Sequence, residues 1–256
     1  MGMVLCIISI NIGKYKSKKE ILSMLYDVCL QAGNTCVFDG ITFTPRAGKI
    51  SIVLGKSGVG KTTLIRLLAG LDVFGTVEAG SIKKPSAVAW MGQTDLLFPW
   101  QSVLGNALLP ISMVRTVHDA DKKKAIDLLY KVGLGDKIHA YVNTLSGGQR
   151  QRVALVRTVM HDCDVVVMDE PFSALDEITK KQCEELFCSL LAGKTIIMVR
   201  HDIADAVMMG DDIYMMCGNP VVIRHIANME DVGLKTYDNP KVRTIIKNIW
   251  EILGND

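Results

Sequence analysis

Ile50-Ser51-Ile52-Val53-Leu54-Gly55-Lys56-Ser57-Gly58-Val59-Gly60-Lys61-Thr62-Thr63 is the stretch on which the fold turns. Ile50–Leu54 is a short apolar run that halts at a glycine, the mark of a parallel strand buried on both faces. Lys61–Leu68 contains no helix breaker and reads as a helix. Between them, Gly55 to Thr62 fills every position of the phosphate-binding loop pattern. The glycines let successive backbone N–H groups converge on phosphate oxygens, and the helix N-terminus adds a positive dipole. Lys61 offers a charge to the β- and γ-phosphates, and the Thr62 hydroxyl is a ligand for Mg²⁺.

Working outward, three further apolar runs end near polar groups. Ala87–Met91 precedes Gln93, Val165–Met168 precedes Asp169 and Glu170, and Thr195–Val199 precedes His201. In open parallel α/β sheets ligands bind beyond the carboxyl ends of the strands, so these residues are candidates to share a site with the phosphate loop. Asp169 is placed for the Mg²⁺ shell and Glu170 for the attacking water. Phosphoryl transfer needs positioning and charge neutralisation more than covalent chemistry.

A second glycine-rich stretch, Leu145-Ser146-Gly147-Gly148-Gln149, precedes a helical run over Arg150–Met160. Ser146 stands where an N-cap would stand. Either this is a capped helix with a glycine turn, or Ser146 and the amides of Gly147 and Gly148 form a second anion site.

In this order, the motifs resemble those of ABC-transporter ATPases, from about Leu25 to the end of the chain. The resemblance implies an α/β fold: a P-loop NTPase (RecA-like) core with an antiparallel β subdomain and an inserted α-helical subdomain. One ATPase domain over 21–256 is expected, with its core at about 21–94 and 161–224 and the helical subdomain at about 95–160. A C-terminal helix is expected at about 239–253, and 1–20 is read as an N-terminal extension.

The same resemblance assigns roles. ATP would be held by Gly55, Lys56, Ser57, Gly58, Val59, Gly60, Lys61, Thr62 and Thr63, and Mg²⁺ by Thr62, Gln93 and Asp169. Glu170, His201, Lys61 and Gln93 would carry hydrolysis. Ser146, Gly147, Gly148 and Gln149 would contact the nucleotide of a partner copy, and Ser173-Ala174-Leu175-Asp176 would cross the dimer interface. A homodimer is implied, bound to transmembrane permease subunits at the cytoplasmic face of the membrane and, through them, to a solute-binding protein. Leu96-Leu97-Phe98-Pro99-Trp100 after Gln93 is similar to the ATPases of nitrate, sulfonate and taurine importers. Its apolar side chains would either receive a permease helix or pack inside the helical subdomain. The runner-up is a soluble ATPase of an assembly system, such as iron–sulfur cluster assembly.

The sequence departs from the family at three places. Ala32 stands where an adenine-stacking aromatic is usual, with Tyr26 and Phe38 off register. Arg200 replaces a threonine before His201, and Thr94 replaces a glutamate after Gln93.

Composition bounds the rest. The 256 residues are 49% apolar, enough for a large core, and the net charge of +2 gives no electrostatic case for a nucleic-acid partner. Seven cysteines without a CxxC pair read as reduced, mostly buried thiols. No apolar run is long enough to cross a bilayer. Val4–Ile8 has no basic residues before it and does not read as a secretory signal, and Lys14–Lys19 is a small basic cluster. Alternation over 21–44 and 213–224 suggests an antiparallel side sheet. Asp121–Val132 reads as a helix capped by Asp119 or Asp121 and stopped by Gly133. A last helix from Asn239-Pro240 would pack through Ile245, Ile246, Ile249, Trp250 and Leu253.

Overall fold

The computed structural model describes residues 24–255, so the expectations for residues 1–20 lie outside it. In chain order the first elements are β1 (Met24–Ala32), β2 (Thr35–Phe43), β3 (Ile50–Leu54), α1 (Lys61–Ala69), β4 (Thr76–Lys83) and β5 (Val88–Met91). Next come α2 (Val103–Ser112), α3 (Asp119–Lys131), α4 (Gly147–Val159), β6 (Val165–Asp169) and α5 (Glu177–Leu190). β7 (Thr195–Val199), α6 (Ile203–Met209), β8 (Asp212–Cys217), β9 (Val222–Asn228) and α7 (Pro240–Asn255) follow. The described residues divide into two compact units.

The unit that holds the phosphate loop comprises 24–85, Val167–Asp169 and 193–255. Its main sheet runs β6-β7-β3-β8-β9. β3 pairs in parallel with β7 on one side and β8 on the other. Ile52, Val53, Leu54 and every residue of β7 are buried, which is why these strands read as continuous apolar runs rather than alternating ones. A smaller antiparallel sheet in the same unit has the order β2-β1-β4.

Two readings are corrected here. Residues 213–224 do not join the side sheet: β8 pairs with β3 and β9 pairs antiparallel with β8, while an isolated Phe38–Val221 bridge touches β2. The strand that does complete the side sheet is β4. It is exposed along nearly its whole length, so it carries no apolar stripe to announce it, and it is held by its ladder to β1. Likewise α7 buries Val242 and Ile249, with Ile245, Ile246, Ile252 and Leu253 packed alongside, but Trp250 is 62% exposed. A step of about 100° per residue carries Trp250 off the face that Ile249 buries.

The other unit comprises Ser86–Val166 and Glu170–Ala192. It places β5 beside the first residues of β6 and packs α2, α3 and α4 together. His118, not an aspartate, occupies the cap of α3; Asp119 and Asp121 lie in its first turn, and the His118 N–H donates to Asp121 at 2.9 Å. Gly133 follows the helix at φ +69°, the left-handed conformation of a helix stop.

Candidate active site

β3 delivers the chain to Gly55, where a Cβ would lie 2.6 Å from the carbonyl oxygen of Met216 on the neighbouring strand β8, so no side chain fits. The loop closes on Gly60, which caps α1 at φ +101°. A Cβ at Gly60 would lie 3.0 Å from the ring of Phe38, fully buried beneath the loop. Leu64, Ile65 and Leu68 are buried and fix α1. No side chain accepts a hydrogen bond at the start of this helix. Its first-turn amides therefore suit an anion, as the partial positive charge of a helix N-terminus requires.

Lys61 folds back over the loop, its Nζ donating to Gly55 O at 2.7 Å and Lys56 O at 2.8 Å. Lys56, Ser57, Gly58 and Thr62 are exposed, while Val59 and Thr63 are half-buried. The Thr62 hydroxyl donates to Asp169 Oδ2 at 2.7 Å, and Asp169 is only 5% exposed. Two hard oxygen donors in contact beside a phosphate loop fit Mg²⁺, whose remaining sites are filled by water and phosphate oxygens. No cluster of three or more His, Cys, Asp or Glu that could hold a metal ion exists among the described residues.

In the same unit, Val53 and Val199 are paired partners on parallel strands. Gly55 and His201 each lie two residues beyond them, so both emerge at one edge of the sheet, and His201 is exposed there. Arg200 points the other way: it is 5% exposed and its Nη2 donates to Asp205 Oδ2 at 2.9 Å. The departure from threonine is thereby explained as an anchor between the end of β7 and α6. Ala32 ends β1 opposite Thr35, next to the exposed Gly33-Asn34 turn.

The other unit carries Gln93, Glu170, the second glycine stretch and Asp176. Gln93 and Thr94 are exposed. Glu170 has φ +47°, a left-handed conformation rare for a residue with a side chain and kept only where the surroundings impose it. Ser146 caps α4: its hydroxyl accepts from the Gln149 N–H at 3.3 Å, and its own N–H donates to Gln149 Oε1 at 3.0 Å. A Cβ on Gly148 would meet Ala174 O at 3.2 Å, and Gln151 Oε1 accepts from the Ala174 N–H at 3.0 Å. The helix start and the Ser173–Asp176 turn are thus packed against each other. Asp176 caps α5 by accepting from the Thr179 N–H at 3.0 Å, which holds its carboxyl below the usual carboxylate range. Leu97 is buried, whereas Trp100 is 67% exposed and stacks on Phe98 with ring centroids 4.9 Å apart. Leu96 and Phe98 line a hollow with Trp90, Leu109, Pro110 and His161.

A family model described as ABC transporter matches residues 38–173, just over half of the chain. The chain belongs to the ABC transporter family. An aliphatic sulfonates import ATP-binding protein of Shouchella clausii is 37% identical over 226 residues, 87% of this ABC protein and 86% of its relative. An uncharacterized ABC transporter ATP-binding protein of Haemophilus influenzae is 37% identical over 193 residues, 75% and 80% of the two chains. The dimeric structure of MJ0796, a bacterial ABC transporter cassette, is similar with a TM-score of 0.67 at 24% identity. It covers 76% of this chain and 94% of its own, and at that identity it speaks for the fold. This ABC protein is an ATPase with a phosphate-loop fold. No helix among its described residues is long and apolar enough to cross a membrane.

Four residues around the candidate site of this ABC protein escape a reading of motifs. Phe38 floors the phosphate loop, Gln151 ties α4 to the Ser173–Asp176 turn, and two arginines of α4 reach the segment after Gln93. The first was visible as an aromatic without a role. The others bond backbone atoms or distant loops and leave no pattern in the sequence.

Proposed function

We propose that this protein is the ATP-hydrolysing subunit of an importer for small anionic organic solutes of the sulfonate class. The observation that carries the reading is the contact of Thr62 with the nearly buried Asp169, set beside a phosphate loop whose helix starts without a side-chain cap. In it, Lys61 and the loop amides grip the β- and γ-phosphates, and Thr62 and Asp169 hold Mg²⁺ with help from Gln93. A cation held there would supply neutralisation of phosphate charge. Glu170, fixed in its left-handed turn, polarises the attacking water, and His201 contacts the γ-phosphate.

Ser146, Gly147, Gly148 and Gln149 serve the nucleotide of a second copy, so the working form is a homodimer, with Asp176 near the shared boundary. The exposed Trp100 and the hollow beside Phe98 suit a short apolar helix of a permease. The protein then sits at the cytoplasmic face of the membrane, and an extracytoplasmic solute-binding protein acts through the permease. The names of relatives such as that of Shouchella clausii supply the solute class.

The test is uptake of a radiolabelled alkanesulfonate by cells that depend on this protein, alongside ATP turnover of the purified complex. Glu170→Gln should abolish uptake and slow hydrolysis about 10²–10⁴-fold, as loss of a general base does, while ATP-bound dimers accumulate in light scattering. Normal turnover would remove Glu170 from its role. Uptake indifferent to every alkanesulfonate would overturn the solute class while leaving the ATPase reading intact.

A further inference from the structure

Asp95 and Leu96 follow Gln93 and are gripped from α4 at two points. Arg157 donates from Nη1 to Leu96 O and from Nη2 to Asp95 O, both at 2.8 Å. Arg150, about two turns nearer the glycines on the same helix face, donates from Nε to Asp95 Oδ2 at 2.8 Å and from Nη1 to Leu145 O at 2.9 Å. Leu96 is held at φ +49°, a strained backbone that persists where bonds on both sides define it. From α2, the fully buried Asn106 accepts from Phe98 N at 2.8 Å and donates to Phe98 O at 3.1 Å. Gln93 and Thr94 stand exposed just before this pinned segment, and Ser146 caps the helix whose arginines do the pinning. Burial lowers the Arg157 guanidinium to about 10, so it is charged at neutral pH and its bonds to the two carbonyls are charge-assisted.

We infer that Arg157 and Arg150 are positioning residues that clamp the Gln93 segment to the signature helix, so that Gln93 and Ser146 are presented as one piece. The clamp thereby couples the nucleotide that Gln93 serves to the partner's nucleotide that Ser146 serves. This rests on the shared-site reading above. Arg150 alone would set one end of α4; the second grip, seven residues along, fixes the direction of the whole helix against the segment.

The test uses mixed dimers of the full chain, purified through two different tags, in which one copy carries Lys61→Ala so that a single phosphate loop turns over. Gln93→Ala should slow turnover only in the copy with the intact loop, and Ser146→Arg only in the copy carrying Lys61→Ala. Arg157→Lys keeps the charge but cannot span both carbonyls. It should slow turnover about tenfold in either placement, the equivalent of a lost charge-assisted bond, with KM for ATP changed less than about twofold. Asp95→Asn removes the charge that Arg150 faces at a partly exposed pair, keeps an Oδ1 to accept from the Leu97 N–H, and should cost about threefold in both placements. A loss confined to one placement, for either variant, overturns the clamp. So does a loss that merely follows the folded fraction measured by thermal unfolding. If Arg157→Lys fails to fold, Asp95→Asn decides, and no loss in either placement overturns the clamp. Failure of Gln93→Ala and Ser146→Arg to segregate between placements would instead bring down the shared-site reading, and with it this inference.

Discussion

α1 and α4 both start within glycine-rich stretches, and they are capped in opposite ways. α1 starts on Gly60, in a left-handed turn with no side chain accepting from its first turn. α4 starts on Ser146, and the reciprocal bonds between Ser146 and Gln149 satisfy one amide at each end of the turn. A helix that lacks its own cap depends on an anion for the groups it leaves open, whereas a capped helix stands complete and adds a contact on top. The first arrangement suits tight holding of a phosphate chain. The second suits a surface that meets a nucleotide held elsewhere and leaves it again.

The largest expected effect lies on the uncapped side. Lys61→Ala should reduce ATP binding or turnover about 10²–10³-fold in equilibrium binding and steady-state assays, the scale for removing one preorganised charge partner. Wild-type affinity would erase the contrast between the two helices. Ala32→Tyr probes the other end of the nucleotide and should tighten ATP about tenfold if the β1–β2 turn faces adenine, given ~1–3 kcal/mol for stacking on a base. No tightening would mean that the base is held elsewhere. On the capped side, Ser146→Ala should cost about 1 kcal/mol in chemical denaturation without nucleotide, the usual worth of such a cap. A cost that appears only with ATP present would show that the serine works on ligand and not on its helix.

The smallest effect distinguishes two kinds of cap. Asp176 caps α5 with a carboxylate whose pKa is lowered by the Thr179 N–H, so its contribution is present above the unfolded-state value and is lost as pH falls through the lowered one. The wild-type protein should therefore lose slightly more thermal stability than Asp176→Asn between pH 5 and the region below about 3.9, the ordinary value for aspartate. The hydroxyl cap of α4 has no such dependence. Equal slopes for the two proteins would count against the cap.

The sequence made the phosphate loop legible because three signals coincide within a few residues: an apolar strand on both faces, glycines where backbone must turn, and an unbroken helix after them. Ser146 was legible as a cap for the same local reason. β4 was not, because its residues are exposed and its place is fixed by pairing with β1. β8 misled, because Asp212 and five following residues are almost all buried and belong beside β3, not in a half-exposed side sheet. Asp212 itself stays buried by pairing with Arg46 at 2.6 Å and His225 at 3.0 Å, partners 166 and 13 residues away. Arg157 was beyond reach because its acceptors are backbone carbonyls about 60 positions back in the chain, and any residue type could supply them.

Lys61 spends its ammonium on the carbonyls of Gly55 and Lys56. In the role proposed for Lys61, nucleotide binding would be a change of partners: two hydrogen bonds that staple the loop shut would be traded for contacts to phosphate. The affinity contributed by this lysine would then be the difference between two well-bonded states, with the loop held in its receiving shape beforehand by the side chain that would later leave it. Replacing Lys61 would remove a ligand contact and also slacken the ring of backbone that the other donors hang from.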